Sequence, residues 1–128
     1  MLSVDKLSRT PIYQQLNDGI EREILSGLLP SGAKLPSVRE LSVKLCINPN
    51  TVQKALAELD SAGIIVSAHG RGCFVADDAK KRVLDRYRDK LEELKTLATF
   101  LVNSGFDGDM IKAAVEEAIV QTKKEEAI

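Results

Sequence analysis

The chain has 128 residues, of which 44% are hydrophobic and 29% charged, and its formal net charge is −1. This composition fits one globular domain with a short appendage, and the net charge gives no argument for nucleic-acid binding. The sequence has no apolar run of the ~20 residues that span a bilayer and no signal-peptide pattern, so we expect a cytoplasmic protein without a membrane partner.

The first predicted helix begins at Thr10-Pro11. Thr10 is expected to be the N-cap and Pro11 the first helical residue, where a missing N–H has no cost. Gly27 is a suitable residue to end the helix. Four apolar residues recur at intervals of four and predict one buried stripe: Ile12, Leu16, Ile20 and Ile24.

Two short helices are predicted next. The sequence SVRE at residues 37–40 fits a capping box, with Ser37 as the N-cap and Glu40 at the third helical position. Asn48 followed by Pro49 marks the start of the second short helix. Two short helices joined by residues 46–48 are typical of a helix-turn-helix.

After Gly63 the pattern changes from helix to strand. Residues 64–66 are β-branched, residues 68–72 are typical of a turn, and residues 73–75 predict the returning strand. A helix-turn-helix followed directly by a β-hairpin is the layout of a winged helix. We therefore expect a mainly α fold with a small β-hairpin, whose winged domain spans residues 1–77.

Residues 78–128 are predicted to form two amphipathic helices. The first covers residues 79–103, and the second starts near residue 107. The first carries apolar residues at alternating spacings of three and four, as in an a/d seam: Leu84, Tyr87, Leu91, Leu94, Ala98 and Leu101. This seam could fold back on its own winged domain or pair with a second chain. We favour dimerisation, because two amphipathic helices cannot enclose so long an apolar strip.

Five segments together resemble the DNA-binding domain of GntR-type regulators. They are PIYQQL at 11–16, LPSVREL at 35–41, NPNTV at 48–52, GII at 63–65 and GRGCFV at 70–75. The match covers residues 10–75 in order and spacing, and the two-helix tail resembles the YtrA-type branch. One departure is Cys73, where a small polar residue is common, and it does not affect the expected DNA contacts. The resemblance implies a homodimer that binds an inverted-repeat operator in double-stranded DNA, usually as a repressor.

The second helix of the helix-turn-helix is expected to offer free backbone amides and outward polar side chains to DNA. Gln53 can pair with adenine, and Lys54 can reach O6 and N7 of guanine. The resemblance implies that the start of the preceding helix grips the DNA backbone and that the wing reaches the adjacent groove. The predicted DNA-binding residues are Ser37, Arg39, Asn48, Asn50, Thr51, Gln53, Lys54, His69, Gly70 and Arg71.

Plainer interpretations stay open for several of these residues. Ser37 and Asn48 could serve only as helix caps, Arg39 could pair with a nearby acid, and His69 could be an ordinary turn residue. A single histidine and two cysteines do not make a metal site, so we expect no metal and no cofactor.

Two competing classes of function are less favoured. A winged helix used for protein–protein contact usually lacks an outward polar set at the start of its recognition helix. An enzyme would need a nucleophile with its base, paired carboxylates or a phosphate loop, and the sequence has none of these patterns. A small-molecule effector of unknown identity could act on the C-terminal helices.

Overall fold

The computed structural model describes residues 2–126. Met1, the first residue of the predicted winged domain, and residues 127–128, the last two of the predicted C-terminal region, lie outside the described residues. The fold is mainly helical with one small hairpin and a two-helix C-terminal part, as predicted. The elements in chain order are α1 (Ile12–Ser26), α2 (Val38–Leu45), α3 (Pro49–Ser61), β1 (Ile65–Ala68), β2 (Gly72–Val75), α4 (Ala79–Asn103) and α5 (Gly108–Glu126).

The start of α1 differs by one residue from the sequence prediction. Pro11 is the N-cap, with φ −55° and ψ 147°, and its own side chain provides no cap hydrogen bond. Its carbonyl accepts hydrogen bonds from the amides of Gln14 and Gln15, both at 3.1 Å. The prediction that Thr10 is the N-cap was wrong, because the extended ψ of Pro11 leaves Thr10 outside the first turn. The helix ends at Gly27, which has φ 88° as expected for a left-handed C-cap.

The predicted capping box at the start of α2 is confirmed. The amide of Glu40 donates to Ser37 Oγ at 3.0 Å, and the amide of Ser37 donates to Glu40 Oε1 at 3.4 Å. The helix ends at Cys46, which adopts a left-handed φ of 54° although it is not glycine. This conformation reverses the chain between α2 and α3 and so sets the direction of α3.

The core of the N-terminal unit is built around α3, which contacts α1, α2 and β1. The stripe of α1 faces it, with Leu16, Ile20 and Ile24 all at most 3% exposed. The buried side chains of α3 are Val52, Ala55, Leu56 and Leu59. Truncating one large core residue to alanine typically costs about 2–5 kcal/mol of folding free energy, so this packing fixes the position of α3.

The wing is an antiparallel pair in which Ile65 faces Val75 and Ala68 faces Gly72. Both strands extend further toward the turn than the sequence predicted. The turn therefore covers residues 69–71 instead of the predicted 68–72. Residues 33–35 add a third segment to β2, through a bridge between Lys34 and Phe74 and a 2.9 Å hydrogen bond from the Leu35 amide to the Cys73 carbonyl. The segment before α2 thus holds the base of the wing.

The chain divides into two compact units, the first ending at Arg86 and the second beginning at Tyr87. The first unit therefore extends beyond residue 77, where the sequence placed the end of the winged domain. The reason is that Ala79 and Val83, in the first two turns of α4, are fully buried. The helix itself runs over residues 79–103 as predicted.

The second unit contains the rest of α4 and α5, which are joined by a turn at residues 104–107. Gly105 in this turn has φ 96°. Large apolar side chains remain exposed on both helices, among them Leu91, Leu97 and Phe100 on α4 and Met110 on α5. No helix within residues 2–126 is both long enough and apolar enough to cross a membrane.

Candidate nucleic-acid interface

The outward side of α3 begins with polar residues. Because the buried stripe starting at Val52 occupies one side of the helix, the side chains of Asn50, Gln53 and Lys54 are left exposed, and Thr51 is half-buried. These side chains lie in the first turn and a half, the part of a recognition helix that contacts base edges in helix-turn-helix proteins. The four residues predicted on this helix are therefore brought together at its start.

The backbone amides at the start of α3 are already paired within the chain. Asn48 Oδ1 accepts the amide of Asn50 at 2.8 Å, and the Asn48 carbonyl accepts the amides of Thr51 and Val52 at 3.0 and 3.2 Å. Pro49 has no N–H to offer. The expectation of free amides at this terminus was therefore wrong. The groups of this terminus that are available to DNA are the polar side chains, aided by the helix dipole.

Lys54 is held by an aromatic ring of α1. Its ammonium nitrogen lies 3.9 Å from the centroid of the half-buried Tyr13 ring. This distance is within the range of a cation–π interaction, which is worth about 0.5–1 kcal/mol at an exposed site. The ring therefore limits the conformations of a side chain that would otherwise be flexible.

The start of α2 presents Ser37 and Arg39 on the surface. Ser37 Oγ accepts the cap hydrogen bond, but a hydroxyl group can still donate its own proton to another acceptor. Arg39 is exposed and has no ion-pair partner among the side chains of residues 2–124. The alternative in which Arg39 pairs with an acid of this chain thus has no support.

The predicted wing residues all lie at the hairpin turn. His69, Gly70 and Arg71 are exposed, and the Arg71 amide donates to the Ala68 carbonyl at 2.9 Å to close the turn. Gly70 has φ 74°, a conformation that favours glycine. The turn is therefore well defined, and it carries Arg71 as an exposed residue.

Lys34 is a surface cation of the wing that the sequence pattern does not single out. It lies on the segment that pairs with β2, and a Cβ atom placed on Gly72 would be 3.1 Å from Lys34 Cε. Its ammonium group is therefore close to the wing backbone at Gly72. The sequence signal was weak, because a single bridging residue between Gly32 and Leu35 is too short to predict as a strand.

The residues before α1 support the turn of the helix-turn-helix. Lys6 Nζ donates to the Cys46 carbonyl at 2.8 Å. The Gln15 side chain pairs with the backbone of Asp5, accepting from its amide at 2.7 Å and donating to its carbonyl at 2.9 Å. This segment thus packs beside the residue whose left-handed conformation directs α3.

The predicted dimerisation residues keep much of their surface exposed. Leu84, Leu91 and Leu94 are 47%, 55% and 43% exposed, while Tyr87, Ala98 and Leu101 are half-buried. The side chains described for residues 2–124 include no group of three or more histidine, cysteine, aspartate or glutamate residues placed to hold a metal ion.

A helix-turn-helix with exposed polar residues at the start of its second helix, followed by a wing that carries a cation, defines a winged-helix protein of the transcription-regulator class. The model of the family described as bacterial regulatory proteins, gntR family, matches residues 12–75. The chain belongs to the gntR family. The family predicted from the five sequence segments is therefore confirmed.

The chain is similar to regulators along most of its length. The HTH-type transcriptional repressor YtrA of Bacillus subtilis strain 168 is 35% identical over 124 residues, which are 96% of this chain and 95% of that protein. A GntR family transcriptional regulator from Listeria monocytogenes has a similar structure, with a TM-score of 0.70 and 35% identity, over 89% of this chain and 98% of that chain. These similarities cover the two C-terminal helices as well as the winged unit.

A third similar structure includes DNA. It is AraR(DBD) in complex with operator ORX1, with a TM-score of 0.54 and 31% identity, and the similarity covers 58% of this chain and 94% of that chain. The relatives named here are transcription regulators, and the similarity indicates no family of enzymes.

Proposed function

We propose that this chain binds operator DNA in the cytoplasm as a homodimer and represses transcription. One observation carries the proposal: the start of α3 exposes Asn50, Gln53 and Lys54, and the start of α2 exposes Arg39, which has no partner among the side chains of residues 2–124. The same kind of domain in AraR is bound to an operator. In this proposal α3 enters the major groove, and the wing contacts the adjacent groove.

The proposed residues fall into two groups by chemistry. Gln53 and Lys54 contact base edges, since an amide can pair with adenine in two hydrogen bonds and an ammonium group can reach guanine. Cations away from the centre of α3 contact phosphates and give affinity without sequence information. Arg39, Arg71 and Lys34 are the proposed phosphate contacts, with the hydroxyl group of Ser37 as a neutral one.

Four further residues of the predicted set have supporting positions. Asn48 caps α3, and its side-chain NH₂ group stays available to a phosphate. Thr51 is half-buried beside the exposed residues of the first turn. His69 and Gly70 form the tip of the wing, where the absence of a side chain at Gly70 allows the backbone to approach DNA closely.

The homodimer part of the proposal is supported by the exposed seam of α4. Leu91 and Leu94 are about half exposed in one chain, so burying the rest of each side chain is worth about half of the ~1.5–3 kcal/mol of a fully exposed leucine. A two-fold dimer presents two identical recognition helices and therefore suits an inverted repeat. In helix-turn-helix dimers the half-sites lie one helical turn of about 34–36 Å apart, or a multiple of it.

Effector control is a further part of the proposal. The second unit has a shallow, open groove of about 630 Å³ along one side of α4. It is lined by Asp89, Glu92, Glu93, Thr96, Leu97 and Phe100. At 100° per residue these positions lie on the opposite side of α4 from the seam, so a bound ligand is compatible with dimerisation. The acidic and apolar lining favours a cationic ligand with an apolar part.

Binding to the protein's own upstream DNA tests the proposal. Fluorescence anisotropy at several salt concentrations should give nanomolar affinity, competed by the same DNA and not by unrelated DNA. Three phosphate-contacting cations in each of two protomers predict a slope of log K against log salt of about −5. Two results together would instead favour a winged helix used for protein contact. They are weak binding that unrelated DNA competes equally, and a selection from random DNA that yields no preferred motif.

A further inference from the structure

The outer half of the wing lies beyond the core that holds its base. Ile65 and Val75, the pair at the base, are 1% and 2% exposed. Val66, the next residue of β1, is 52% exposed, and Ser67 is exposed as well. A two-stranded hairpin is at best marginally stable by itself. Contacts other than apolar burial must therefore direct the tip of the wing, where Arg71 lies.

A side-chain hydrogen bond connects β1 to the end of the recognition helix. Ser67 Oγ donates to Oδ2 of Asp60 at 3.1 Å. Asp60 is the last residue but one of α3, and it is exposed. The bond therefore links the exposed part of β1 to the helix that carries Gln53 and Lys54.

The same hydroxyl group also contacts the returning strand. Ser67 and Cys73 face each other in the register of the wing, and Ser67 Oγ lies 3.6 Å from Cys73 Sγ. A serine hydroxyl has one proton, and here that proton is donated to Asp60. The thiol is therefore the donor in the second contact, and a row of hydrogen bonds runs from Cys73 through Ser67 to α3.

The other edge of the wing is held by backbone hydrogen bonds. The Leu35 amide donates to the Cys73 carbonyl at 2.9 Å, and the Val75 amide donates to the Ala33 carbonyl at 2.8 Å. One edge is thus held by the segment that leads into α2, and the other by α3 itself. Two-stranded ribbons twist more strongly than larger sheets, so a bond on the second edge restrains the angle of the wing.

We propose that Asp60 and Ser67 are a positioning pair, which fixes the angle between the outer half of the wing and α3. In the proposed function α3 lies in one groove and the wing contacts the adjacent one. The angle therefore decides whether Arg71 reaches a phosphate while Gln53 faces the bases. The inference rests on that function, and in it Asp60 and Ser67 do not contact DNA but act through Arg71.

The test uses the full-length chain and the operator that the wild type selects from random DNA. Ser67→Ala removes the hydroxyl group, and Ser67→Thr keeps one. Asp60→Ala and Asp60→Asn remove the same charge, but only Asp60→Asn keeps an oxygen acceptor, so their comparison separates the hydrogen bond from the charge. Ser61→Ala removes a hydroxyl group from the exposed residue next to Asp60 and is the matched control. Each variant is also made in an Arg71→Ala background, and circular dichroism melting establishes that it is folded.

We expect Ser67→Ala to weaken operator binding by about 2- to 10-fold, the effect of losing one hydrogen bond. Asp60→Ala should bind more weakly than Asp60→Asn by a similar factor, whereas Ser67→Thr and Ser61→Ala should bind as the wild type does. In the Arg71→Ala background Ser67→Ala should cause no further loss, because the contact that the pair positions is already absent. Ser67→Ala should also reduce the slope of log K against log salt, as Arg71→Ala does. A smaller folded fraction would not change that slope.

Two results would overturn the inference alone. One is full operator affinity in the folded Ser67→Ala variant. The other is the same loss from Ser67→Ala with and without Arg71, which would show that the pair does not act through the wing contact. If Arg71→Ala itself bound the operator and unrelated DNA as the wild type does, the wing contact in the proposed function would be contradicted, and the inference would fall with it.

Discussion

The ammonium group of Lys54, in the recognition helix, lies 3.9 Å from the centre of the Tyr13 ring in α1. The sequence pattern predicts Lys54 as a base contact, and the structure adds its contact with Tyr13. A lysine side chain has about 2 kcal/mol of rotamer entropy to lose on ordering. An aromatic ring that orders it beforehand reduces the part of this cost that DNA binding must supply.

Removing the Tyr13 ring should therefore weaken operator binding without any change at the DNA contacts. We expect Tyr13→Leu to cost about 0.5–1 kcal/mol of binding free energy, the size of an exposed cation–π interaction. Tyr13→Phe should bind as the wild type does, because the ring is kept. Anisotropy titrations at one salt concentration measure both, and equal losses in the two variants would show that the hydroxyl group matters instead of the ring.

Ser37 can be tested for its two roles separately. Ser37→Ala removes the cap of α2 and should lower the free energy of unfolding by about 1 kcal/mol. Ser37→Asp keeps a good cap, so its stability should be close to that of the wild type. Its added negative charge should nevertheless weaken DNA binding if the residue faces a phosphate. Denaturant unfolding measures the stability of both variants, and operator titrations measure their affinity for DNA. Full operator affinity in Ser37→Asp would show that Ser37 only caps α2.

Arg71 at the tip of the wing should act on affinity and not on sequence preference. Arg71→Ala should weaken binding to specific and unrelated DNA by similar factors and should reduce the salt slope by about 1 per half-site. Lys112→Ala in α5 removes the same charge from a residue outside the proposed interface and is the control. A variant that lost affinity for one operator base only would make Arg71 a base contact.

Leu91 should be part of the contact between protomers. Leu91→Glu places a charge in the seam, and we expect it to shift the protein from dimer to monomer in sedimentation-equilibrium measurements, because a buried unpaired charge is costly. Leu28→Glu changes a leucine that is 67% exposed between α1 and α2 and should leave the mass of the assembly unchanged. A dimer that persists in Leu91→Glu would contradict the proposed seam.

The winged fold was predictable because strong local signals agree with each other. Ser37 with Glu40, Asn48 with Pro49, and Gly27 are start and stop signals that work through the backbone nearby, and each is found where the sequence placed it. The prediction that Thr10 is the N-cap of α1 was wrong, because the residue types do not reveal the extended ψ of Pro11. The burial of Ala79 and Val83 at the start of α4 was missed because packing against segments distant in sequence leaves no signal in the helix itself.

The candidate site was predictable as a set of positions but not as a set of contacts. The apolar stripe starting at Val52 is enough to place Gln53 and Lys54 on the outside of α3. The Tyr13 ring under Lys54 and the position of Lys34 beside Gly72 depend on how separate segments pack. Such long-range contacts leave no spacing pattern in one sequence, so the structure was needed to find them.

The most direct test of the central claim is selection from random double-stranded DNA by the wild type and by Gln53→Ala. The account predicts that the wild type selects an inverted repeat. It also predicts that the variant relaxes the preference at one position in each half-site, at a cost of about 1–3 kcal/mol. Failure of the wild type to select any motif would contradict a sequence-specific regulator, and an unchanged motif in the variant would contradict the placement of Gln53 against the bases.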